Sequence, residues 1–312
     1  MAAAVALAVS AVLGASSRIW RGRLETVEPA RRVPWLLALL AAPPVTGGLT
    51  LGVALGPCVR AWALGLPDDC FSHGGPTYFF CLLHPAHASH TLWALAALCV
   101  LPLVVQGARV SLGLARLRRL AARLRMVASP TDDPEVWLVP GRAAFAMDWP
   151  RRGIYLGRDL RLRPALHDAI LAHERAHVRR GDLGLRLVAW MLTALHAPGV
   201  GTRLEDALDL AIEQACDAEA SGAVGDPLVV AEALLAVTRL DAPPPDKWLA
   251  AFGPHALEAR VRALCDPPWC DGDPRARGRN AVALASLAFA VLVGLDRPLH
   301  DAVEAVVALL AN

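Results

Sequence analysis

Residues 170–182 read Ile170-Leu171-Ala172-His173-Glu174-Arg175-Ala176-His177-Val178-Arg179-Arg180-Gly181-Asp182, and the fold of the surrounding region turns on this stretch. Pro164 suits a first helical position and Gly181 a helix end, so the pattern predicts a helix from Pro164 to Arg180. Side chains four residues apart stand one above the other on a helix face. His173 and His177 are therefore spaced to bind one metal ion, with Glu174 beside the first histidine as a general base toward water. With 10 His and 10 Glu in 312 residues, a chance HExxH is expected in roughly one such chain in a hundred. The bland alternative is a polar helix face with two solvated histidines. The apolar run Ile170-Leu171-Ala172 argues instead for a buried helix, and buried histidines need partners.

A zinc ion, the metal this motif points to, takes a third protein ligand. Downstream, Thr202-Arg203-Leu204-Glu205 reads as a capping box opening a helix through Ala220. That helix offers Asp209, Glu213, Cys216 and Asp217. Glu213 and Asp217 are i, i+4 and share a face. The expected roles are Glu213 as ligand and Asp217 as the carboxylate that orients a metal-bound histidine. Cys216 is a softer alternative ligand. A solvated acidic face is the competing explanation, since Asp206, Asp209 and Glu219 lie on the same helix.

Beyond this region the chain is unusually apolar. It is 55% hydrophobic and 19% charged, with a mean hydropathy of +0.41, which points to membrane segments. Four stretches qualify as spans of about 20 residues or somewhat fewer: Met1–Ser16, Pro34–Gly56, Thr91–Gln106 and Ala281–Leu295. Pro43-Pro44 should kink the second. Met1–Ser16 lacks the preceding positive charge of a signal peptide and reads as a retained span. Arginines then set the orientation. Arg18, Arg21, Arg23, Arg31 and Arg32 precede the second stretch; Arg116, Arg118, Arg119, Arg123 and Arg125 follow the third; Arg275, Arg277 and Arg279 precede the fourth. The loop Pro57–His90 carries only Arg60. The expected layout is a membrane region over 1–115 with three spans and an external loop at 57–90, a cytoplasmic zinc domain over 116–279, and a fourth span with a short external tail over 280–312. The expected fold class is thus a mainly α-helical membrane protein with about four transmembrane helices and a cytoplasmic α+β domain. A net charge of +2 gives no reason to expect direct nucleic-acid binding.

Within the central region, Ser129–Pro134 reads as a linker. Val136–Val139, Ala143–Met147 and Gly153–Leu156 read as a small antiparallel sheet. Asp182–His196 reads as a packed helix rather than a fifth span, Asp226-Pro227 as the start of a helix ending near Leu240, Ala242–Asp246 as a loop and Ala256–Leu264 as a last short helix. The seven cysteines form no CxxC pair. In the external loop Cys58, Cys70 and Cys81 are expected to include one disulfide. His84, His87 and His90 step by three there, as interfacial histidines or a metal-sensing patch.

The run His173–Asp182, followed by Glu213-Gln214-Ala215-Cys216-Asp217, resembles the penicillinase-regulator (BlaR/MecR-type) membrane metallopeptidases. Gly153-Ile154-Tyr155-Leu156 looks like that family's strand before the zinc helix, His255–Leu264 like its late Glu-x-Arg-hydrophobic segment, and the span layout is similar, so the resemblance covers most of the chain. It implies a gluzincin-like zinc endopeptidase in a bacterial cytoplasmic membrane. Such an enzyme cleaves a cytoplasmic transcriptional repressor, or itself, when an external signal arrives. It also implies His173, His177 and Glu213 as zinc ligands, Glu174 as the base, Asp217 behind the ligands, and structural roles for Arg180 and Asp182. Arg175 departs from the apolar residue usual at its position. Only Asp296–Asn312 follows the fourth stretch, so the external penicillin-binding sensor of the best-known members has no counterpart here, and antibiotic sensing is not implied. Two other functions fit the same features: a catalytically silent receptor or scaffold that keeps the zinc fold, and a protease of membrane-protein quality control.

Overall fold

The computed structural model describes residues 2–64, 90–149, 152–160, 163–239, 250–251 and 257–267. The described residues are mostly helical, with one small sheet among them. Helices α1 (Ala2–Ala15), α2 (Ser17–Glu25), α3 (Pro29–Leu64) and α4 (His90–Val127) come first. Strands β1 (Ser129–Pro130), β2 (Val136–Val139), β3 (Ala144–Met147) and β4 (Gly153–Gly157) follow. Then come α5 (Pro164–Arg180), α6 (Asp182–Leu192) with a 3-10 turn at Thr193–Leu195, α7 (Val200–Val224), α8 (Pro227–Arg239), β5 (Ala250–Ala251) and α9 (Leu257–Cys265).

The sheet runs β1-β2-β4-β3-β5 and is mixed. Where the sequence suggested antiparallel hairpins, β4 inserts between β2 and β3, parallel to the first and antiparallel to the second. The reason lies in the β2–β3 connection. Instead of folding back beside β2, it crosses the end of β4, so closely that a Cβ on Gly157 would stand 2.2 Å from the Gly141 carbonyl oxygen. Gly141 takes φ +100° in that crossing, a region open mainly to glycine. Backbone bonds from Arg158 N–H to Val139 and from Asp159 N–H to Gly141 lock it. Ser129–Pro134 is likewise no free linker. Its first two residues form edge strand β1 on β2, and Asp133 pairs with Arg175 of α5.

Alternation along the strands divides the core into two layers. Val136, Ala144, Ala146, Ile154 and Leu156 face a cluster built by α5, α7 and α8, including Ala169, Ile170, Val230 and Leu234. Val139, Phe145, Met147 and Tyr155 face the opposite way, onto Leu117, Ala121 and Leu124 of α4 and Leu183 of α6. A third cluster joins Val33, Leu36 and Leu40 of α3 to Ala189 of α6 and Leu204, Leu208, Ala211 and Ile212 of α7.

Several boundaries differ from the sequence reading. Helix α7 starts at Val200, not at Thr202, with Gly199 in the left-handed conformation as N-cap and no side-chain cap bond, so the Thr202–Glu205 capping box does not form. Its end is later too, at Val224. Asp226 does cap α8, accepting from the Leu228 N–H at 2.8 Å. Asp182–Leu192 is an 11-residue helix, about 16 Å long and too short to cross a bilayer.

Among the described residues, one stretch is long and apolar enough to cross a membrane: the 22 residues Pro29–Thr50 within α3. Helix α3 continues through Pro43-Pro44. Thr91–Gln106 lies in α4, which runs on unbroken to Val127. Helix α1 contains the shorter apolar segment Val5–Ala15. Positions 57–64 of the expected external loop are helical and His90 begins α4, while positions 65–89 are outside the described residues. So are Cys70 and Cys81, and with them the expected disulfide; so too His84 and His87, the loop Ala242–Asp246 and the fourth apolar stretch Ala281–Leu295.

Candidate metal centre

Helix α5 forms as the sequence predicts. Pro164 occupies its first turn, and Gly181, at φ 67°, ends it with its N–H on the His177 carbonyl. Helix α5 packs against α7, and His173 and His177 are 0% and 2% exposed. From α7 comes Glu213, also fully buried.

The two imidazoles meet through their Nε2 atoms, 3.1 Å apart. Glu213 completes a triangle, with Oε2 3.5 Å from His173 Nε2 and Oε1 3.6 Å from His177 Nε2. Each Nδ1 is turned to its own carboxylate: His173 to Asp217 at 3.0 Å, His177 to Asp182 at 2.7 Å. A carboxylate fixes the proton on Nδ1 and leaves the Nε2 lone pair bare. Two bare lone pairs at 3.1 Å repel each other unless a proton or a cation lies between them. A tetrahedral ion with bonds of about 2.0–2.1 Å would set its donors about 3.3 Å apart, close to the three separations seen here. Two imidazole nitrogens and a carboxylate oxygen, all buried, thus form a donor set that fits a metal ion.

Charges around the triangle favour the same state. Burial works against an ionised Glu213, but Arg260, His177, His173 and Arg186 outweigh it and hold its carboxyl well below the usual carboxylate range. Arg186 donates to Oε1 at 2.7 Å and Arg260 lies 3.0 Å from Oε2. Arg260 also grips Asp217 with two bonds, of 2.8 and 2.7 Å. Burial lowers the basicity of both histidines. At His177 it prevails. At His173 the hydrogen bonds to Asp217 and Glu213 overcome it and push the ring up to about 9. In the metal-free protein, then, His173 carries the proton that separates the facing nitrogens.

The structure brings together four of the five residues singled out from the sequence: His173, His177, Glu213 and, behind His173, Asp217. Glu174, the fifth, is fully buried one position along α5. Cys216 stands apart from the triangle. Its Sγ is 3.4 Å from His177 Nδ1 and 3.4 Å from Asp182 Oδ2, on the far side of the His177 ring. His177, Asp182 and Cys216 form a second close group. Burial and the neighbouring Asp182 and Glu213 carboxylates push the Cys216 thiol well up in the metal-free protein. Arg175 points away from the triangle, to Asp133.

Three contributors lay outside the sequence-derived set. Asp182 was expected to be structural, yet it orients His177; the turn at Gly181 swings it back onto the helix it follows. Arg186 and Arg260 come from α6 and α9, elements to which no spacing rule connects Glu213. The chain matches no family model, no curated protein and no solved structure.

Proposed function

We propose that this chain is a membrane-anchored zinc-dependent endopeptidase of the BlaR/MecR-type regulator kind, acting in signalling by cleaving a cytoplasmic regulator or itself. The observation that carries the proposal is the facing pair of His173 and His177 Nε2 atoms, closed by Glu213 and backed on both sides by a carboxylate. Second partners of this kind are what metal-binding histidines almost always have. The residues that would hold zinc are His173, His177 and Glu213. When bound, zinc supplies Lewis acidity, polarising the peptide carbonyl and making water a nucleophile near neutral pH.

The chain's own residues do the rest. Glu174, next to a ligand in HExxH, takes the proton from the attacking water and delivers it to the leaving amine. Asp217 and Asp182 hold the two rings in the tautomer that presents Nε2. Arg186 and Arg260 keep Glu213 ionised and limit its motion, through bonds to both of its oxygens. Attachment to a bilayer rests on Pro29–Thr50 and on the exposed apolar residues Val100, Leu101, Leu103, Val104 and Val105 of α4, a concentration unusual for a water-facing surface. The arginine distribution in the sequence supports a cytoplasmic side for the metal centre.

Glu174→Gln is the test. Glutamine keeps the shape but cannot accept the proton. Cleavage of a co-expressed candidate repressor, or of the chain itself, should fall by about 10²–10⁴, with one zinc per chain retained. Undiminished cleavage would refute the assigned mechanism. An unchanged signalling phenotype would favour a scaffold that keeps the metal fold without turnover.

A further inference from the structure

The membrane-helix candidate α3 reaches the metal centre through one buried side chain. Arg32, in the first turn of α3, is 7% exposed. Its Nη1 donates to Gln214 Oε1 at 3.0 Å. Gln214 follows Glu213 directly on α7, and its Nε2 donates onward to the Ala259 carbonyl at 3.2 Å. Both ends of the amide are used, so its orientation is fixed. Ala259 precedes Arg260, whose guanidinium holds Glu213 and Asp217, and Asp217 in turn holds His173. Each link is a direct contact, from the start of α3 to a metal-binding ring.

The energetics make Arg32 hard to explain as packing. Around it, Val33, Leu36 and Leu40 bury apolar side chains against α7. A guanidinium buried in such a seam is costly to desolvate; the Glu25 charge offsets only part of that cost, and the hydrogen bonds found for Arg32 end on neutral oxygens: Gln214 Oε1 and the Glu25 and Val27 carbonyls. An apolar residue there would extend the seam at no such cost. The two carbonyls lie at the end of α2, where a cation is a natural cap. Capping accounts for those two bonds but not for the third, which runs to α7.

We infer that Arg32 is a positioning residue for the metal centre, acting through Gln214 and α9, so that the Arg32–Gln214 hydrogen bond between α3 and α7 sets how tightly the metal is held. This deepens the metal reading above and rests on it. The mechanism is geometric: releasing Gln214 frees α9 to shift, and with it the Arg260 clamp on Glu213 and Asp217.

The test uses full-length protein in detergent, loaded with cobalt(II), whose visible absorption reports ligand geometry, together with zinc affinity by chelator competition. Gln214→Leu cuts the link while leaving Arg32 its bonds to α2; Arg32→Gln cuts it from the other side. Each should weaken metal binding about tenfold or more, the range seen when the outer partners of ligands are lost, and alter the cobalt spectrum. The double variant should be no worse than the poorer single one. Leu36→Ala, at the same α3–α7 seam, is the packing control and should lower the melting temperature with the spectrum unchanged. Wild-type affinity and spectrum in folded Gln214→Leu would overturn the inference and leave the metal reading intact, as would an equal shift in Leu36→Ala. Absence of metal binding by the wild-type chain would overturn both. If Arg32→Gln does not fold, Gln214→Leu decides alone.

Discussion

Two carboxylates on two rings give the centre its chemistry, and they can be tested one residue at a time. Asp182→Asn and Asp217→Asn keep a side chain of the same shape but remove the charge that favours the Nδ1–H tautomer. Each should reduce zinc affinity by about 10–100-fold, measurable by chelator competition. The proton on His173 adds a pH dependence. Its pKa lies above the ordinary 6.5, at about 9. In the metal-free protein its ion pairing therefore contributes stability fully below about 6.5 and loses it as pH rises through about 9. Metal must displace that proton, so zinc affinity should rise about tenfold per unit between roughly pH 7 and 8.5, with one proton released per ion bound. A flat affinity over that interval would mean that His173 is not a ligand. At this scale the sequence was largely legible. HExxH and the Glu213/Asp217 spacing each follow from the 3.6-residue period, which places partners within one helix by counting. Asp182, Arg186 and Arg260 escape counting because a turn and two further helices bring them in.

Among the elements, α3 contains a defect and its repair. Pro44 has no N–H, so the Leu40 carbonyl one turn back lacks its helical donor. His196, just after the 3-10 turn, supplies one through Nε2 at 3.0 Å. Its Nδ1 takes a bond with Ser10 Oγ of α1 at 3.2 Å, and that oxygen also accepts from the Ala197 N–H at 2.8 Å. Proline, histidine and serine thus pin α1, α3 and the α6–α7 junction to one another. Replacing His196 by Leu should cost about 1–3 kcal/mol, the penalty for stranding a buried carbonyl. In a Pro44→Ala background α3 supplies its own donor, and the same change should cost less. Equal costs in both backgrounds, by denaturant or thermal melts, would break the argument. Helix α5 was legible to the residue and α8 from its Asp226 cap, whereas the capping box read at Thr202 does not form and α7 starts at Val200. Strand order was not. A run of four or five residues states which side chains alternate but not which neighbour it takes, and that choice is made by a glycine crossing at Gly141 and Gly157.

At the scale of the whole molecule, α3 leads away from the body that carries the candidate metal site and α4 leads back to it. Near the start of α3, Val33, Leu36 and Leu40 are buried against α7, and further along it Val45 and Leu49 are exposed. In α4 the exposed residues Val100, Leu101, Leu103, Val104 and Val105 come before Gln106, which donates to the Trp190 carbonyl at 2.6 Å, and before Leu117 and Leu124, which are buried on the sheet. A reporter fused at Ser129 should accordingly lie on the cytoplasmic side and one at Gly74 on the outer side. The same side for both would remove the proposed topology and the cytoplasmic substrate with it.

The bonds that tie α1 and α3 to the body also fix an order of events during synthesis. Ser10 meets His196 across 186 residues and Arg32 meets Gln214 across 182. At the usual pace of translation the first helices leave the ribosome about 10–40 s before their partners exist. Through that interval Ser10, Arg32 and the Leu40 carbonyl must be kept in water, in the lipid headgroup layer or by the insertion machinery. A nascent chain stalled before Val200 lacks Gln214 and the α7 side of the seam, so the start of α3 around Arg32 and Val33 should remain sensitive to protease there and gain protection once α7 has emerged.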